Sequence, residues 1–250
     1  MGDYGSTIPL NNSYKSSIIQ AISDGIKKDV SDFKAENVLE TYNGINFLKW
    51  DFINTNIIKT LKNNNKFQCL KYQRGPSWVL VLIYDKETNY LYCLMSKQQF
   101  NLLKDKERDH LHYIDALALI NKGLKAKIKK YKQIKLFNIE DKTIKNADKK
   151  SLLSDILQRI NGKVMKFAII TYLSEKREIT SVSAYMLTTA LEIGHEENWN
   201  ELITVDYNNS PIIEDNINKD DEEEINMKLR VDPTQSNNNI IKLKRKKDKK

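Results

Sequence analysis

Two stretches of the chain give up the usual mixing of apolar and polar residues. VLVLIY (79–84) and YLYCLMS (90–96) are nearly unbroken apolar runs, joined by the polar DKETN (85–89). Short apolar runs bounded by turn residues predict the two strands of a hairpin. Their lack of polar positions predicts a sheet covered on both faces. FQCLKY (67–72), set off by Arg74-Gly75-Pro76, reads as a preceding strand. Downstream, VMKFAIITYL (164–173), SEKRE (174–178) and ITSVSAYML (179–187) repeat the pattern and predict a second hairpin.

Helical spacing fills the ground between. SSIIQAISDGIKKDVSDF (16–33) places Ile18, Ile19, Ile22, Ile26, Val30 and Phe33 on one stripe, an amphipathic helix. INFLKWDFINTNIIKTLK (45–62) opens like a strand and closes like a short helix. Residues 97–135 read as mainly helical, with Gly123 a possible interruption. SLLSDILQRI (151–160) predicts a compact helix with Ser151 as N-cap, ended by Asn161-Gly162. TTALEIGHEENWNELI (188–203) is expected to resume helix. The fold class expected is α+β: two β-hairpins in a mixed or antiparallel sheet flanked by helices.

Three segments follow. Residues 1–13 are expected to be a flexible start and 14–207 a single α+β domain. Residues 208–250 have few aromatics, an acidic block at Asp220–Glu224 and a basic end, and are expected to be a disordered tail. No run approaches the roughly 20 apolar residues of a membrane span, and the start lacks a signal pattern. A cytoplasmic protein with no membrane partner is the expectation. Cys69 and Cys93 lie in apolar, strand-like contexts, which predicts buried free thiols.

Charge changes the picture. The net charge is +8 and lysine far outnumbers arginine among the 41 basic residues. Abundant Asn, Ile and Lys reflect A- and T-rich codons, so the lysine total says little about function. Its distribution says more. Residues 122–150 hold eleven lysines against Glu140, Asp141 and Asp148, a net of +8, whereas 208–250 are close to balanced. KGLKAKIKKYKQIK (122–135) supplies Lys122, Lys125, Lys127, Lys129, Lys130, Lys132 and Lys135, and the C-terminus adds Lys244, Arg245, Lys246 and Lys247. On a helix Lys122, Lys125, Lys129 and Lys132 share one face. Such a face suits phosphates, through salt-sensitive and weakly sequence-specific contacts. It equally suits an acidic protein partner, and a plain solvated face is the third reading.

Catalytic chemistry is sparse. No phosphate-cradling glycine motif and no nucleophile elbow occur, and two distant cysteines cannot make a zinc finger. His110 and His112 share a face only on a strand, so a capping or surface role is expected of them. Glu192, His195 and Glu196 fall at i, i+3 and i+4 of the expected helix and are weak metal candidates. The hairpin acids sit in turns and the first hairpin ends in Ser96-Lys97, a poor match to a metal-dependent nuclease or hydrolase. Trp50, Trp78, Tyr84, Tyr90, Tyr92 and Tyr172 fall mostly in strand contexts, where aromatics pack a core or, on an open sheet, stack bases. No cofactor is implied.

RGPSWVLVLIYDKETNYLYCLMSKQQFNLL followed by HLHYIDALALIN (within 74–121) resembles a family of uncharacterised proteins of low-GC Gram-positive bacteria, often carried by phages and mobile elements. The resemblance transfers no catalytic residues. It implies a bacterial or phage accessory protein, with interference in host defence as one setting. The expectation is a non-enzymatic protein that binds DNA or RNA, or a nucleic-acid-associated protein, through the lysine-rich stretch. The alternative is a regulator or inhibitor of a host factor with an acidic surface.

Overall fold

The computed structural model describes residues 7–75, 78–105, 111–127 and 142–204. These lie within one compact unit. The expected tail at 208–250 and residues 1–6 of the expected flexible start at 1–13 fall outside the described residues.

Six strands form one mixed sheet in sequence order: β1 (Phe67–Gly75), β2 (Trp78–Asp85), β3 (Tyr90–Ser96), β4 (Lys166–Glu175), β5 (Glu178–Leu187) and β6 (Ile193–Asn198). Every neighbouring pair is antiparallel except β3 and β4, which run parallel with Leu91 opposite Phe167. The sheet is thus two three-stranded meanders joined through one parallel pair. Both expected hairpins are present. The first closes at Asp85, whose Oδ1 accepts the Glu87 N–H at 3.0 Å while Lys66 Nζ lies 3.5 Å from Oδ2.

Helices cover both faces, as the unbroken apolar strands require. One face meets α1 (Asn12–Ile26) and α3 (Ile45–Lys62), where Ile18, Ile22, Ile53, Ile57 and Leu61 pack with Ile83, Tyr92, Ile170 and Ala184. The other face meets α4 (Lys97–Asp105), α5 (Tyr113–Leu117) and α6 (Lys142–Gln158), where Phe100, Ile114, Leu117 and Ile156 pack with Leu82, Cys93, Phe167 and Tyr185. α2 (Lys28–Glu36) follows α1.

Several boundaries differ from those read in the sequence. The first helix starts at Asn12, because the Asn11 side chain accepts the Tyr14 N–H at 3.0 Å, and it breaks at Lys27. Residues 45–62 are one helix throughout, so Trp50 is helical rather than in a strand. Ser151 lies inside α6 and caps nothing. Residues 193–198 form a strand, not a helix. Its residues lack an apolar stripe, and what fixes them is ladder pairing to β5.

Cys69 pairs across from Ile83 on the α1/α3 side, while Cys93 lies in the opposite core. The sheet separates the two thiols and both are free. Burial pushes the Cys69 thiol up to about 11 and raises that of Cys93 as well. Alkylation by iodoacetamide at about pH 8 should therefore leave both untouched in the folded protein and reach both in urea, because the thiolate is the nucleophile. Rapid labelling of folded protein at Cys69 contradicts this arrangement.

Between α5 and Lys122 the chain makes a short 3-10 turn ending at Asn121, which is 0% exposed. Its Nδ2 donates to Phe167 O at 2.8 Å and to Leu187 O at 3.0 Å, and its Oδ1 accepts the Phe167 N–H at 2.9 Å. The β4–β5 ladder has its last pair on this side at Ile169 and Tyr185. One carboxamide satisfies the backbone groups that the ladder leaves open there.

Candidate functional site: the lysine edge along β6

Lys122, Lys125 and Lys127 are all exposed. They do not lie on a helix. Beyond Asn121 the chain turns at 122–123, the Leu124 N–H donating to Asn121 O at 3.0 Å, and then meets the start of β6, where the Lys127 N–H donates to Ile193 O at 2.8 Å. Leu124 and Ala126 are half-buried, while Lys125 and Lys127 face solvent. That alternation is the two-residue period of an extended edge. The helical face of Lys122, Lys125, Lys129 and Lys132 is corrected accordingly over 122–127. Lys129, Lys130, Lys132 and Lys135, like Lys244, Arg245, Lys246 and Lys247, fall outside the described residues.

Gly194 makes the close approach possible. A Cβ there would stand 2.5 Å from the Leu124 side chain and 3.1 Å from Lys125 O. The sequence carries the signal in LKAKIK (124–129), a strict apolar–lysine alternation that fits a strand period better than a helical one.

The proposed metal candidates are not brought together. His195 pairs with Met186 and Glu197 with Ala184 on the α1/α3 face, whereas Glu196 pairs with Tyr185 on the opposite face. Glu192 sits in the preceding turn, where its N–H donates to Thr188 Oγ1 at 3.2 Å. The helical i, i+3, i+4 geometry fails because the segment is a strand. Among the described residues no three His, Cys, Asp or Glu side chains converge as a metal site. His112 caps α5: its Nδ1 accepts the Ile114 N–H at 3.2 Å and Asp115 Oδ2 accepts the His112 N–H at 3.0 Å. The capping role expected of it is correct, and His110 lies outside the described residues.

β6 carries two anchored carboxylates that sequence reasoning missed in these roles. Tyr185 OH donates to Glu196 Oε1 at 2.7 Å, and Lys97 Nζ donates to the same phenol oxygen while lying 4.1 Å over its ring. Phe100 stacks on Tyr185 at 4.6 Å. Burial, then the hydrogen bond to Glu196, pushes the Tyr185 phenol up to about 12, so it stays protonated and donating. On the other face Glu197 receives Lys15 Nζ, Trp199 Nε1 at 3.1 Å and the Ile8 N–H at 3.3 Å. These contacts hold β6 from both sides and so fix the strand whose first residues the lysine segment meets.

An open groove of about 290 Å³ between α1 and α3 is lined by Ser17, Gln20, Asp24, Asn56, Lys59 and Thr60. Its Gln20 and Asp24 side chains bond each other at 2.8 Å. Among the described residues no helix is long and apolar enough to cross a membrane.

A family model described as a family of unknown function, DUF5986, matches residues 7–249. The chain belongs to that family. The match spans both meanders and the lysine-rich stretch between them. No curated protein matches the chain. No solved structure matches it either.

Proposed function

We propose that this DUF5986 protein binds nucleic acid through the phosphate backbone, using the lysine edge beside β6 without catalysing a reaction. The observation that carries the reading is the exposure of Lys122 in a turn and of Lys125 and Lys127 on the segment that follows it, which is anchored to the start of a strand held from both faces. A row of point charges on a fixed edge follows a phosphate backbone and reads little sequence. The concentration of net charge in 122–150 supports the same reading. The likeness in residues 74–121 favours an accessory role inside a bacterial cell, of host or phage origin.

The test is affinity of the full chain for DNA and RNA across a salt series, for the parent and for K122E/K125E/K127E. The parent should lose affinity steeply with salt. The triple variant should bind at least about ten-fold more weakly at about 50 mM salt, with a shallower slope. Unchanged affinity in the variant overturns the reading. So does a parent that binds neither nucleic acid at low salt, an outcome that directs attention to an acidic protein partner.

A further inference from the structure

The chain contains two Asn-Gly pairs, Asn43-Gly44 and Asn161-Gly162, and all four residues are exposed. In such a pair the glycine has no Cβ to screen its amide nitrogen from the side chain before it. That nitrogen is the nucleophile for an attack on the asparagine carboxamide. What decides whether it reacts is how firmly the fold holds the peptide plane between the two residues.

The two planes are held very differently. Asn43 and Gly44 are the central residues of the turn that leads into α3, closed by the Ile45 N–H donating to Tyr42 O at 2.9 Å. Among the described residues neither the Asn43 carbonyl nor the Gly44 N–H has a hydrogen-bond partner, and nothing stands within 4 Å of where a Gly44 Cβ would be. At the end of α6 the Gly162 N–H donates to Ile160 O at 2.9 Å. The Asn161 N–H donates to Gln68 Oε1 at 2.8 Å, and Gln68 Nε2 donates to Arg159 O at 3.1 Å. Gly162 lies so close to the Tyr84 ring that a Cβ would not fit.

We propose that Asn43 is a site of spontaneous deamidation and that Asn161, with the same sequence motif, is protected by the fold. The Gly44 nitrogen bonds to Asn43 Cγ and gives up its proton to water, and the side-chain amide leaves as ammonia. Water then opens the resulting succinimide at either carbonyl, which leaves aspartate or isoaspartate with no change of oxidation state. α3 has no acidic residue in its first turn, and its N-cap Gly44 makes no side-chain hydrogen bond. A new carboxylate at 43 meets the positive end of that helix, so the turn accommodates the aspartate product. Isoaspartate instead adds a carbon to the main chain of the turn. Its free α-carboxylate is the group that an isoaspartyl methyltransferase esterifies with S-adenosylmethionine.

The test is incubation of the full chain at mildly alkaline pH, folded and in guanidinium chloride, followed by peptide mapping. Mass spectrometry reads the conversion of amide to acid at each position, and methyl transfer from S-adenosylmethionine by an isoaspartyl methyltransferase reads isoaspartate. In the folded protein position 43 should react at least about ten-fold faster than position 161, where reaction requires local opening. In guanidinium chloride the two should react at similar rates. Gly44→Ala puts a methyl group into open space and should slow the loss of Asn43 by about ten-fold or more. Equal rates at the two positions of the folded protein, or a faster rate at 161, overturn the proposal. So does a rate at 43 that Gly44→Ala leaves unchanged. Persistence of Asn43 in the folded protein over a period in which the denatured chain reacts overturns it as well.

Discussion

Asn121→Ala should lower folding stability by roughly 4 kcal/mol, seen as a large fall in the urea midpoint with little change in slope. The substitution removes three buried hydrogen bonds at once. More costly, it leaves the Phe167 N–H, the Phe167 carbonyl and the Leu187 carbonyl without partners where water cannot reach. Each such orphan costs about 1–3 kcal/mol. Asn121→Asp separates this from simple loss of volume. An aspartate fills the space and still accepts the Phe167 N–H, yet it donates to neither carbonyl and places a charge in the core. It should be no more stable than the alanine variant. A change under about 1 kcal/mol in either would mean that the carboxamide contributes only what an exposed side chain does.

Gly25→Ala is the second large effect, and two terms of opposite sign decide it. Within a helix, alanine is favoured over glycine by about 1 kcal/mol. At this position, however, α1 crosses α3 so closely that a Cβ would stand 2.7 Å from the Ile53 amide nitrogen and 2.9 Å from its Cα. Backbone cannot swing aside as a flexible side chain can, so the helices must part. Ile22, Ile53 and Ile57, all essentially fully buried around the crossing, would loosen with them. Overpacking of this kind costs about 1–3 kcal/mol, and contact with main chain puts it at the upper end. A net loss of roughly 2 kcal/mol is expected, measured by thermal or urea unfolding. Neutral or higher stability would show that the crossing relaxes freely.

The hairpins were legible because burial on both faces writes itself as unbroken apolar runs. The start of α3 was harder. INFLKW is rich in aromatic and branched residues and imitates a strand, although Trp50, Ile53, Ile57 and Leu61 already fall at helical spacing. β6 carried no readable signal of its own. IGHEEN has one large apolar residue, and its conformation comes from the ladder with β5, so the carboxylate and imidazole placed on one helical face separate to opposite sides of a strand. The non-helical course of 124–127 was written in its alternation but masked by the density of lysine. Asn121 looks in sequence like an ordinary helix end. Its partners lie 46 and 66 residues away, and no local pattern announces them.

The parallel seam between β3 and β4 also has a consequence during synthesis. All seven residues of β3 are buried in the finished protein, and its partner at Leu91 is Phe167, 76 residues later. At about 5–20 residues per second, a ribosome needs roughly 4–15 s to supply that partner. Over that interval the nascent first half has an apolar strand with one side unsealed, and such an edge adheres to other chains. The rate of elongation through the lysine-rich middle of the message therefore sets how long each new molecule spends in its most adhesive form.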